Sequence, residues 1–254
     1  MVFEQVDGRR QTTDGRKRAD NSAVCRLPSA VSPLYEDNHL LALSKPVGIA
    51  TMGLPEGEET LLTLAKEYIK HKYDKPGNVY LGVVSRLDVP VSGVVLFART
   101  SKAADRINEQ FRNRTVQKTY LAIVEGTPPP QGRWTDRISD DKRHRHVCID
   151  PSGKEASLSY KVLRRLGPNS LVEIQLETGR KHQIRLQFSS RGYPILGDRK
   201  YGSKTVIEKG ITLHAQTLVV KHPTTGAEIV LTAPVPESWK RPQTADDRQQ
   251  KDSR

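Results

Sequence analysis

Cysteine is nearly absent: Cys25 and Cys148 are the only two in 254 residues, far apart and in no CxxC spacing. That excludes a disulfide framework and a thiolate zinc site, and it points to a reducing cytoplasm. No apolar run approaches the ~20 residues of a membrane span; the run Val94-Val95-Leu96-Phe97-Ala98 has the length of a strand. No GxGxxG, Walker A loop or GxSxG elbow occurs, which leaves nucleotide-binding and serine-hydrolase readings without support. His182, His214 and His222 show no HxxxH spacing and no adjacent Cys or Glu ligand, so they read as structural histidines and no metal is expected. The N-terminus mixes acids with bases and has no apolar h-region, so no signal peptide is expected.

What the chain does have is positive charge. Lys and Arg number 41 against 29 Asp and Glu, a formal +12. Such a surface attracts polyanions, of which nucleic acid is the commonest, although a merely soluble basic protein would carry the same charge. Residues 1–31, with Arg9-Arg10 and Arg16-Lys17-Arg18, and residues 241–254 are too polar to offset their ordering entropy, and are expected to be flexible tails. Between them, 32–240 is expected to form one domain without internal repeats.

Within that domain Leu34–His39 reads as a turn and Leu40–Ser44 as a buried strand that stops at Lys45-Pro46. Leu61, Leu64, Ala65, Tyr68 and Ile69 fall at helical spacing behind Thr60, a plausible N-cap. Val94–Ala98 reads as a strand, followed by a helix capped by Ser101 with Ala103, Ile107 and Phe111 on one face. Tyr120–Gly126 is a strand, 131–156 a charged loop region, and Ala156–Leu163 and Leu171–Leu176 are further strands. A helix is expected near Gly179-Arg180, with Ile184 and Phe188 on its buried side. Leu213–Ala233 reads as two strands around a loop at His222–Gly226. The order describes an α+β domain with a largely antiparallel mixed sheet flanked by helices.

Three stretches could carry chemistry. Arg86-Leu87-Asp88, followed by Val89-Pro90-Val91-Ser92-Gly93, puts a carboxylate on a constrained loop leading into a strand. On this stretch alone, an Asp that merely stabilises a turn, with Arg86 as a surface partner, is the commoner case. Thr178-Gly179-Arg180-Lys181-His182-Gln183-Ile184-Arg185 gathers donors at a helix start, with Lys181 and Arg185 on one face; it suits an anion, or is a solvated basic face. Lys118-Thr119-Tyr120 opens a strand, where a Tyr is usually core or interface.

Together these stretches resemble the RluA-type RNA pseudouridine synthases. That family's His-Arg-Leu-Asp-x-x-Thr-Ser-Gly signature is matched by Ser85 to Gly93, its Lys-x-Tyr strand by Lys118 to Tyr120, and its Thr-Gly-Arg-x-His-Gln-Ile-Arg motif by Thr178 to Arg185. Gly192 to Asp198 through Tyr201-Gly202, and Leu213-His214-Ala215 with His222-Pro223 and Gly226, fit as well, so the similarity covers nearly all of 34–239. Two positions depart: Ser85 stands where the family usually has His, and Val91 where it usually has Thr.

The resemblance implies a catalytic domain with a central RNA-binding cleft that isomerises uridine in structured RNA, ribosomal or transfer, to pseudouridine. It implies Asp88 as the nucleophilic carboxylate, Arg185 as its partner and Tyr120 stacked on uracil. Arg86, Leu87, Lys118, Arg180, His182, Gln183 and Ile184 become substrate-binding positions. No cofactor is implied, because the reaction is redox-neutral and has no group donor. A cytoplasmic monomer, free of membrane and without an N-terminal S4 domain, is expected. A non-catalytic RNA-binding protein on the same scaffold is the alternative. A nucleosidase would need a second acid beside Asp88, and the neighbouring residues offer none.

Overall fold

The computed structural model describes residues 27–28, 31–55, 57–141 and 146–239. Apart from residues 27, 28 and 31, the two polar tails lie outside the described residues, as do Cys25 and the basic run 142–145. One sheet holds all eleven strands: β1 Ser32–Glu36, β2 Leu40–Lys45, β3 Gly82–Val83, β4 Ser92–Ala98, β5 Gln117–Glu125, β6 Gln131–Asp141, β7 His146–Ile149, β8 Lys154–Leu166, β9 Asn169–Leu176, β10 Leu213–Lys221 and β11 Glu228–Thr232. Three α-helices accompany it among the described residues: α1 Leu61–Lys72, α2 Ser101–Arg112 and α3 Gln183–Ser189. The spatial order is β1-β2-β4-β10-β5-β9-β8-β6-β7, with β3 on β4 and β11 on β10. Among the described strands only β4 and β10 pair in parallel. This is the expected α+β architecture with a largely antiparallel sheet, and no helix of the described residues is long and apolar enough to cross a membrane.

The first half of the sheet is covered on both faces. Alternation sends Leu41, Leu43, Val95 and Phe97 toward the α1 residues Leu61, Leu64, Ala65 and Ile69. It sends Leu40, Ala42, Val94 and Leu96 toward Ile107 of α2. That is why β4 is buried at every position and reads as a continuous apolar run. Thr60 caps α1 as expected: its side chain accepts from the Thr63 amide while the Thr63 hydroxyl accepts from the Thr60 amide. Thr100, not Ser101, caps α2, because its extended backbone aims the hydroxyl at the Ala103 amide.

The second half is covered on one face only. Ala122, Val124, Leu158, Tyr160, Val172 and Ile174 pack against Ile184 and Phe188 of α3, while Gln175, Lys161 and Arg133 on the opposite face are exposed. This one-sidedness corrects the expected loop at 131–156, much of which is strands β6 and β7. Arg133 and Arg137 occupy the open face, while Asp136 on the other face meets Gln187 and Arg191. Between them Trp134 turns inward onto Tyr160 and Phe188, with ring centroids 4.5 and 4.7 Å away. The expected turn at residue 34 is likewise strand β1, paired with β2 through an irregular register.

The halves meet at the parallel β4–β10 contact. Gly93 has φ +123, and a Cβ there would overlap the Ala215 carbonyl oxygen, so only glycine lets the two strands close. Beside it Ser92 Oγ and His214 Nδ1 lie 2.9 Å apart.

Candidate active site

Asp88 sits on the loop between β3 and β4, and the loop is tied from several sides. The Ser85 hydroxyl accepts from the Leu96 amide at 2.8 Å, and the Ser85 amide donates to the Leu96 carbonyl at 3.3 Å. Thr51 Oγ1 donates to the Leu87 carbonyl at 3.0 Å and accepts from the Leu87 amide at 3.2 Å. The buried Lys45 ammonium donates to the carbonyls of Pro46, Ile49 and Val89 at 3.0, 2.8 and 3.3 Å. Behind Asp88, Val91 is buried in the core of the second half. Both departures from the family signature thus have structural uses: Ser85 fastens the loop to β4, and Val91 anchors it in apolar surroundings.

The motif at 178–185 meets Asp88 through Arg185 and His182. Arg185, on α3, donates through Nη1 to Asp88 Oδ2 at 3.0 Å. Its other edge is held by Asp198, through Nε at 2.6 Å and Nη2 at 2.9 Å. The expected Asp88–Arg185 pair is therefore one arm of a fork whose second arm was not foreseen. Burial works against the Arg185 charge, but the Asp198 and Asp88 carboxylates outweigh it and hold its pKa above the ordinary guanidinium value. Burial lowers Lys45 to about 8, opposed by the charge of Asp88. Tyr120, half-buried on β5, has its phenol pushed well up by burial and by the nearby Asp88 carboxylate, so it is a neutral ring at physiological pH.

His182 precedes α3 in the left-handed region, φ 53 and ψ 20. Its Nε2 lies 3.5 Å from Asp88 Oδ2 and its Nδ1 2.7 Å from the Tyr201 hydroxyl. This corrects the expected helix start: α3 begins at Gln183, so Lys181 is not on its face with Arg185. Each cation instead finds its own acid, Lys181 taking Asp140 at 2.9 Å.

The other expected positions separate into two groups. Arg86 is exposed, with no ion pair among the described residues. Lys118 donates to the Thr178 carbonyl at 3.1 Å, and burial together with Arg114 and Arg180 lowers its pKa to about 8. Arg180 donates through Nε to the Glu155 carbonyl at 2.8 Å. Leu87 packs against the cores of both halves.

Gln183 and Ile184 lie behind the site, contrary to the expected substrate contact. Gln183 is enclosed, and its amide is engaged by Thr178, Arg180, Ser157 and Gln187. Ile184 is core beneath Tyr120. Asp198, Lys45, Thr51 and Tyr201 were missed as site residues. The only sequence signal for Asp198 and Tyr201 was their place in the Gly192–Gly202 stretch.

No cluster of three or more metal-ligating side chains occurs among the described residues. Two open depressions, one of about 620 Å³ on the exposed face around Arg133, Lys161 and Gln175 and one of about 380 Å³ around Asp37, His39 and His222, are not lined by Asp88.

A family model described as RNA pseudouridylate synthase matches residues 39–190. An uncharacterized RNA pseudouridine synthase of Bacillus subtilis, YhcT, is 36% identical over 211 residues, covering 82% of this chain and 69% of the relative. Ribosomal large subunit pseudouridine synthase D of Xanthomonas campestris pv. campestris is 34% identical over 226 residues, covering 82% of this chain and 67% of the relative. Among solved structures, human RNA pseudouridylate synthase domain containing 4 superposes with a TM-score of 0.69 at 24% identity, covering 82% of this chain and 90% of that one, which establishes the fold.

Proposed function

The chain belongs to the RNA pseudouridylate synthase family and is an RNA pseudouridine synthase, and from that premise we propose that Asp88 is its reacting carboxylate and ribosomal RNA its substrate. The observation that carries the site is the state of Asp88. Its Oδ2 is held by Arg185 at 3.0 Å, whereas Oδ1 accepts no hydrogen bond from the described residues, and the side chain is 30% exposed. A carboxylate aimed by one oxygen and open at the other can act on the ribose, either at C1′ as a nucleophile or as a base on the sugar. The bond from C1′ to N1 then breaks, uracil turns, C5 bonds to C1′ with loss of the C5 proton, and N1 takes up a proton. Atoms are conserved and no electrons are transferred, so the chemistry calls on no cofactor and no metal.

The target uridine must leave its stack, because a stacked nucleotide hides its sugar from any side chain. Tyr120 supplies a neutral ring on which the uracil can stack. Arg86, exposed beside Asp88, is placed to enter the vacated gap or to hold a flanking phosphate, and Lys118 and Arg180 supply further charge. Ribosomal RNA is favoured over transfer RNA because relatives that share four-fifths of this chain are named ribosomal large subunit enzymes. The same reading takes the protein as a monomer acting in the cytoplasm. The test is ribosomal RNA transcribed in vitro with tritium at uridine C5, which releases tritium at each turnover. The wild type should release it and Asp88→Asn should not. Release by transfer RNA alone would overturn the choice of substrate.

A further inference from the structure

His182 has a backbone conformation that few side chains accept, and its ring lies between the reacting carboxylate and a tyrosine. Non-glycine residues in the left-handed region are uncommon, with His among those enriched there, and they persist where the surroundings need the side chain in that place. Here the ring is held at Nδ1 by Tyr201 Oη at 2.7 Å, which leaves Nε2 facing Asp88 Oδ2 at 3.5 Å. Tyr201 is itself held, its ring 5.0 Å beneath the Arg185 guanidinium and its carbonyl accepting from the Ser189 hydroxyl at 2.5 Å.

We propose that Tyr201 and His182 form a positioning pair for Asp88, the tyrosine hydroxyl fixing the tautomer that turns an Nε2–H toward the carboxylate. This rests on the reading of Asp88 as the reacting group. If Nδ1 carried the proton, the Nε2 lone pair would face the anionic carboxylate. Donation from Tyr201 to Nδ1 removes that conflict and leaves Nε2–H to assist Arg185 at the same oxygen. The carboxylate is then held from two directions, with its second oxygen left for the substrate. The charged and titratable groups around the pair are Asp88, Arg185, Lys181 and Lys200 at His182, with Asp198 and Asp140 at Tyr201.

Burial, with Arg185, Lys200 and Lys181 adding to it and Asp88 opposing it, lowers the His182 pKa, so the ring is neutral at pH 7 and its tautomer matters. Burial raises Tyr201 to about 12, so its hydroxyl keeps the proton it donates. A gap of 3.5 Å is long for a hydrogen bond, and such contacts tighten once substrate closes the site.

Single-turnover tritium release at saturating enzyme, RNA affinity and the ¹⁵N shifts of the His182 ring test the pair. Tyr201→Phe keeps the ring under Arg185 and removes only the hydroxyl. It should slow the saturated rate about tenfold, leave affinity within about twofold, and convert the ring nitrogens from one tautomer to a mixture. Gln places an amide N–H near the imidazole Nε2, whereas Asn falls short. His182→Gln should therefore keep most of the rate and His182→Asn should lose it, although Asn suits the left-handed backbone better. In the His182→Gln background, Tyr201→Phe should add less than about a twofold effect. Additive losses, an Asn variant as fast as the Gln variant, or ring nitrogens unchanged in Tyr201→Phe would overturn the proposal. The ring measurement needs no activity and decides the case if a His182 variant fails to fold. An active Asp88→Asn would instead overturn the reading beneath it.

Discussion

Two aspartate–histidine pairs lie in different parts of the molecule, and their burial is nearly the same. Asp37 is 27% exposed beside His222 at 9%; Asp88 is 30% exposed beside His182 at 12%. Their hydrogen bonding is not the same. Asp37 takes the Tyr35 hydroxyl on Oδ2 at 2.8 Å, the His39 and Leu40 amides on Oδ1 at 2.7 Å each, and His222 Nε2 at 2.7 Å. His222 Nδ1 accepts from the Thr224 and Thr225 amides, which fixes its proton on Nε2. That pair ties the β1–β2 turn to the β10–β11 loop and has no capacity left. Asp88 is held at one oxygen only, by groups that are themselves oriented from behind by Asp198 and Tyr201. A saturated carboxylate builds structure and an unsaturated, oriented one can react. Exposure alone does not tell them apart.

Asp88→Asn carries the largest expected effect. Turnover should fall to below about a hundredth of wild type, with RNA affinity within a few-fold. Stability should hold, because Arg185 keeps its two bonds to Asp198. Residual activity above that level, with deamidation excluded, or a large fall in Tm, would erase the distinction between the two acids.

Asp37→Asn should do the reverse. Losing charge-assisted bonds to two amides and His222 should cost about 2–3 kcal/mol in denaturant unfolding, while turnover per folded molecule stays unchanged. Burial raises the Asp37 pKa, but the His39 and Leu40 amides, Tyr35 and His222 outweigh it and leave it below its ordinary 3.8. The stability this supplies is present above pH 3.8 and fades as pH falls through the depressed folded value. The gap between wild type and Asp37→Asn should therefore close in acid. A gap that widens as pH falls would show that the sign is wrong.

Tyr120→Ala should weaken RNA binding by roughly 1–3 kcal/mol through lost stacking, and Tyr120→Phe should keep affinity while slowing a step after glycosidic cleavage. Equal binding by the Ala variant and wild type would return Tyr120 to the core. The smallest effect concerns charge remote from Asp88. Arg112 and Arg114 are exposed, and Arg114 meets Glu155 at 3.2 Å. Replacing both by Gln should flatten the slope of log affinity against log salt by about 1–2, with the saturated single-turnover rate barely changed. An unmoved slope would mean that they only solvate the end of α2.

Much of the fold was legible because local patterns and tertiary burial agreed. Leu61, Leu64, Ala65 and Ile69 have a helical period and are the residues α1 buries. The region 131–156 was misread because β6 leaves one face open, so Arg133 and Arg137 interrupt the apolar pattern, and because Asp136 and Asp140 on its other face pair with Arg191 and Lys181. The backbone break at His182 was illegible for a different reason: no local composition requires it, and it is stabilised by contacts to Tyr201 and Asp88, 19 and 94 residues away.

The sequence alone determined the class of molecule, its basic surface, the helical and strand periods and the three motifs that carry the family resemblance. Each of these is written in neighbouring residues, where side-chain order and spacing are the physical cause. Only the tertiary structure decided how each acid is held. That Asp37 is saturated and Asp88 is not depends on donors arriving from β1, the start of β2, the β10–β11 loop and α3, with Asp198 holding Arg185 from behind. Hydrogen bonds form between groups that meet in space, and a one-dimensional order does not state which groups will meet.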